Sequence, residues 1–149
     1  MSKKVRTLAT IGWREWVSLP GLCPDRLKAK VDTGARTSSL HAFNLQLGES
    51  APGVTMASFE IHPSQRSAEP TYQVEAPIAG FREVRSSSGH RERRPVVVTP
   101  IVIGEHRFKI EVTLTSRDEM GFRMLLGRAA LRRRFLVDPG RSYRQGVKS

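Results

Sequence analysis

The chain has 149 residues, 38% of them hydrophobic and 26% charged, which is enough for one domain with a buried core. Its apolar runs are too short to span a membrane, and no apolar stretch follows the basic N-terminus as a secretory signal requires. Lys and Arg number 25 against 14 Asp and Glu, a formal charge of +11 that attracts anionic partners, and the single cysteine excludes an intramolecular disulfide and fits a reducing cytoplasm.

In chain order the sequence reads as short strands. Residues 7–12 and 15–19 flank Trp13-Arg14 as an opening hairpin, and Cys23 is expected to be an inert thiol in the loop after it. Residues 27–31 run into Asp32-Thr33-Gly34, and residues 38–43 leave that turn. Residues 56–62 alternate as a half-buried strand does, and 63–70 form a polar loop. Residues 81–85 and 95–98 bracket the turn at 86–89 as a second hairpin. Residues 100–103 and 107–114 form a third around Gly104-Glu105. Residues 122–126 run into Gly127, 128–135 read as the one helix, and 1–6 and 140–149 as frayed tails. So many strands with one short late helix predict a single all-β domain, closed or nearly closed as an antiparallel barrel.

Two places carry the chemistry. One is the apolar strand into Asp32-Thr33-Gly34; the other is Met124-Leu125-Leu126 into Gly127-Arg128. Alone, Asp-Thr-Gly is ordinary turn vocabulary. Zinc hydrolases use close-set histidines, whereas His41, His62, His90 and His106 are scattered singly, and no P-loop is present. The residues therefore call for no metal and no cofactor.

The flanking words resemble a known family. Residues 11–17, 28–42, 87–90 with 92–95, 117–120 leading into 124–128, and 137–139 with Ser142-Tyr143 follow one another in its order. They are similar to the bacterial retropepsin-like aspartic proteases labelled ATP-dependent zinc proteases, which are linked to ligases that add glutamate tails to a ribosomal protein. The resemblance implies a retropepsin-like (acid-protease) closed barrel with one short C-terminal helix. It implies a cytoplasmic homodimer in which paired Asp32 carboxylates, braced by Thr33 and Gly34, hydrolyse peptide bonds through an activated water. Residues 82–94 would be the flap. Arg36, Arg85, Ser88, Gly89 and Arg94 would bind an acidic protein substrate, with a glutamylated ribosomal protein as the specific candidate. Gly127, Arg128 and Asp118 would support the site, and nucleic acid would enter only as ribosome context.

The chain departs from the retroviral pattern at Arg36, where an acid usually pairs with the late Arg. Arg128 then needs another acceptor, Asp118 or Asp138. Arg36 either lies open near the cleft or pairs with Glu92 or Glu119. Ser88 and Arg123 also replace the family's usual Asn and Pro. Two rival readings stand beside the peptidase: a basic RNA- or ribosome-binding module using Arg132-Arg133-Arg134, and a non-catalytic retropepsin-like scaffold.

Overall fold

A computed structural model describes residues 7–85, 89–116 and 121–146. In chain order the elements are β1 (Ala9–Ile11), β2 (Arg14–Val17), β3 (Leu27–Asp32), β4 (Ser38–His41), β5 (Phe43–Ala51) and β6 (Val54–Ile61). Then come β7 (Tyr72–Pro77), β8 (Gly80–Arg85), β9 (Arg91–Ile103), β10 (His106–Thr115), β11 (Met124–Gly127), α1 (Arg128–Leu131) and β12 (Phe135–Val137). Alternation decides what is buried. β3 turns Leu27, Ala29 and Val31 inward and leaves Lys28, Lys30 and Asp32 half-exposed. β11 is buried at all four positions because it lies inside the sheet, parallel to β3 on one side and antiparallel to β4 on the other.

The main sheet has seven strands in the order β2-β3-β11-β4-β10-β9-β8; β5-β6-β7 form a second sheet and β1-β12 a third. Phe59 and Ile61 of β6 join Leu40, Ile101, Leu114, Met124 and Leu126 in the core at 0–1% exposure. Each such side chain contributes about 1.5–3 kcal/mol on burial.

The fold is all-β apart from α1, as expected, but no sheet closes into a barrel. The outer edge of β2 is met by the C-terminal segment, where Tyr143 N–H donates to Arg14 O, and just beyond β2 Ser18 makes an isolated bridge to Val102 of β9. Nor is pairing purely antiparallel, since β3–β11, β4–β10 and β1–β12 are parallel. The expected opening hairpin does not form. At Gly12 the chain crosses between sheets, so β1 pairs with β12 and β2 with β3. The second and third hairpins share one 13-residue strand, β9. Pro100 does not end it, because β8 pairs only with residues 91–96 and the missing N–H faces an unpaired edge.

The helix is shorter than expected. It stops at Leu131; Arg132 has ψ 128° and Arg133 enters the left-handed region at φ 65°, so the chain turns back. Phe135 then buries its ring beside Phe108 and His106 as the first residue of β12.

Residues 140–146, expected as a tail, are anchored. The carboxylate of Glu15, at 0% exposure, accepts the backbone N–H of Gly12 (2.6 Å), Arg144 (2.7 Å) and Gln145 (3.1 Å). Gln145 also donates to Thr10 O, and the Tyr143 ring stacks on Trp16 at 5.7 Å. A charge buried this completely is tolerated only because fixed donors surround it.

Candidate active site

β3 delivers Asp32 to its end, where the chain must leave the sheet. Gly34 N–H donates to Asp32 Oδ1 at 2.9 Å and Ala35 N–H to Asp32 O at 3.2 Å, so the turn is closed on its own aspartate. A Cβ on Gly34 would stand 3.1 Å from that oxygen, crowding the carboxylate. Asp32 is half-buried, and Thr33 and Gly34 are exposed.

The late Gly-Arg pair locks this turn from beneath. Asp32 and Gly127 are register partners across the parallel strands. The chain at Arg36-Thr37 crosses directly over Gly127, where a Cβ would lie 2.6 Å from the carbonyl carbon and oxygen of Thr37. Arg128 N–H donates to Ala35 O at 2.8 Å and Ala129 N–H to Arg36 O at 3.0 Å. The first donors of α1, which have no partner inside a helix, are thus spent on the Asp loop.

Two acceptors of Arg128 are backbone carbonyls of the Asp turn. Its guanidinium donates to the carbonyls of Gly34 (3.1 Å) and Thr33 (3.4 Å), while Asp138 accepts from Gly140 N–H. Asp118 and Glu119 lie outside the described residues, as does Ser88. Ser38 is a supporting residue that sequence reasoning missed. Its Oγ accepts Gly127 N–H at 3.1 Å, and its own carbonyl accepts the buried hydroxyl of Thr113. The Ser-Ser pair after the Asp turn was the available signal.

The flap arginines are less open than expected. Arg94 is buried and donates through Nε and Nη2 to Glu92 at 3.2 Å, which also removes Glu92 as a partner for Arg36. Arg82 reaches Glu111 at 2.6 Å, Arg91 lies 4.0 Å from Glu83, and Arg93 covers the Phe81 ring at 4.1 Å. Arg85 and Gly89 are exposed, Gly89 at φ 88°, a turn geometry that suits glycine. Arg36 is exposed four residues beyond Asp32, and among the described residues no carboxylate is within ion-pair distance of it.

Among the described residues no three His, Cys, Asp or Glu side chains converge where a metal could be held. His41 and His62 each stack against Phe43, at 3.8 and 3.7 Å, and His106 meets Phe135 edge-on. His90 is exposed on the flap. Glu60 is held below the ordinary glutamate range by the Asn44 amide at 2.9 Å and then by His62 at 3.2 Å. Burial pushes the Cys23 thiol up, partly offset by its hydrogen bond to Asp25 O, which suits an inert thiol.

No helix among the described residues is long and apolar enough to cross a membrane. Two sizeable cavities, of about 440 and 750 Å³, both exclude Asp32.

Comparison with known proteins agrees with this geometry. A crystal structure of a Legionella pneumophila protein of unknown function superposes with a TM-score of 0.75 at 29% identity, covering 94% of this chain and all of that one. A protein of Shewanella halifaxensis named as a probable alpha-L-glutamate ligase is 43% identical over 139 residues, 93% of this chain. One of the same name from Parasynechococcus marenigrum is 47% identical over 136 residues. The chain spans only about 30% of the length of these two relatives. Residues 10–148 match the model described as the retropepsin-like aspartic endopeptidase RimB, and the chain belongs to this RimB-like family.

Proposed function

We propose that the protein is an aspartic peptidase that works as a homodimer on acidic, glutamate-rich protein segments. The observation that carries this reading is the half-site itself. One described Asp turn, braced by Gly34, Gly127 and Arg128, presents a single half-buried carboxylate where the reaction needs two. A two-fold axis beside Asp32 would supply the second carboxylate, since only an isologous contact brings a residue to its own copy.

In such a pair the two carboxylates lie about 3 Å apart and share one proton, because both cannot ionise at that distance. The ionised one takes a proton from water as the water oxygen bonds to the scissile carbonyl carbon. The protonated one gives its proton to the carbonyl oxygen. Collapse of the resulting diol breaks the C–N bond, and the leaving amine takes a proton from the dyad. No covalent enzyme intermediate forms.

The substrate class is supported by two features. Arg36 stands exposed four residues beyond Asp32, and Arg85 is exposed at the turn end of the flap hairpin. Relatives that carry this domain within a chain more than three times as long are named for joining glutamate. A domain tethered to a maker of acidic tails is well placed to trim them.

The test is hydrolysis of a glutamate-tailed peptide, followed by mass spectrometry, for wild type and Asp32→Asn with and without EDTA. The amide still accepts the Gly34 N–H, so the fold is kept, but it cannot act as the base. Wild type should cleave in both buffers and the variant in neither. Loss of wild-type cleavage in EDTA, restored by zinc, would replace the aspartic mechanism with a metal one.

A further inference from the structure

The second of the two cavities, of about 750 Å³, lies away from the Asp turn, between the start of β1, the β9–β10 turn and the segment after α1. Arg107 forms one wall and Arg132, Arg133 and Arg134 another, with Glu105 as the acid and Phe108 among the lining residues. Among the described residues none of these four arginines has an ion-pair partner. Four like charges around one groove repel one another.

The backbone points the same way. Arg133 holds φ 65°, a left-handed conformation that disfavours any residue with a Cβ and that glycine would adopt freely. Arg133 is among the residues lining the groove. The Arg134 guanidinium carbon sits over the Phe108 ring at 4.2 Å from its centroid, which pairs a cation with an aromatic ring in the groove lining.

We propose that this groove binds a single-stranded RNA segment, its phosphates on Arg107, Arg132 and Arg133 and a base stacked on the Arg134–Phe108 pair. Arginine forks match phosphate oxygens, and nucleobases stack on guanidinium and aromatic planes. A volume of this size is in the range of pockets that hold a small ligand and suits a base with its sugar and phosphate. An acidic peptide would use the charges but has no use for the Arg134–Phe108 pair. The site is independent of Asp32, so it stands or falls apart from the peptidase reading.

The experiment is fluorescence anisotropy with a labelled single-stranded RNA across a salt series. The variant is Arg107→Gln with Arg133→Gly, which relieves the left-handed strain and so keeps the fold. Arg66→Gln with Arg85→Gln removes the same charge elsewhere. The groove variant should bind at least tenfold more weakly, with the slope of log affinity against log salt shallower by about 1.4 for two lost phosphate contacts. The control should stay within about twofold of wild type. Equal losses in both variants would reduce the effect to diffuse charge and overturn the site. Tighter binding of a glutamate-rich peptide than RNA, lost in the same groove variant, would overturn the ligand.

Discussion

Asp32 and Gly127 face each other across the parallel β3–β11 pair, and the chain that leaves the aspartate crosses back over the glycine with no room for a side chain. This contact joins the two sequence words into one device. Gly127→Ala would place a methyl 2.6 Å from the Thr37 carbonyl, a backbone group that cannot swing aside. We expect a loss of about 3 kcal/mol in urea unfolding, from overpacking. Ser38→Ala, which removes only the acceptor of Gly127 N–H, should cost about 1–2 kcal/mol.

Glu15 should prove the anchor of the C-terminal segment. Its carboxylate accepts three backbone donors, and Glu15→Ala leaves them unpaired. The expected loss is about 3–5 kcal/mol, with Glu15→Gln costing less because one acceptor oxygen remains. Hydrogen exchange should show residues 143–145 losing protection first in the alanine variant.

How much of this was legible follows from how local each signal is. Asp32-Thr33-Gly34 and Gly127-Arg128 are words of a few residues whose geometry is set by their own backbone, and both are where the sequence placed them. The acceptors of Arg128 were not legible, because every residue has a carbonyl and only the fold brings those of Thr33 and Gly34 within reach. β5 escaped notice since residues 46–51 are exposed on both faces and show no alternation. Residues 132–134 look helical by composition, but Arg132 leaves the helix with ψ 128° and Arg133 turns left-handed. Glu15 falls within the strand expected at 15–19, but its burial depends on backbone donors that arrive 129 and 130 residues later.

Specificity should reside in Arg36. Replacement by Ala should lower kcat/KM for a glutamate-tailed peptide about tenfold and leave a neutral peptide unchanged. Added salt should erode the acidic preference in wild type, because an exposed charge is screened. Equal slowing of both peptides would make Arg36 a structural residue.

Stability should fall in acid partly through Glu60. Its folded-state value lies below the ordinary one, first because of Asn44 and then His62, so its contribution is present above the ordinary glutamate value. That contribution is lost as pH falls through the lower folded value. Glu60→Gln should therefore flatten the acid limb of a Tm-against-pH curve below about pH 4.5, leaving its neutral region parallel to wild type.

The dimeric dyad is tested most directly by mixing subunits. Wild type and Asp32→Asn are combined at fixed total protein, allowed to exchange, and assayed on the glutamate-tailed peptide. If both Asp32 carboxylates are needed at one site, activity follows the square of the wild-type fraction, and an equal mixture retains about one quarter. A mixture that retains about half, in proportion to the wild-type chains present, would mean that each chain works alone and would contradict the shared aspartate pair.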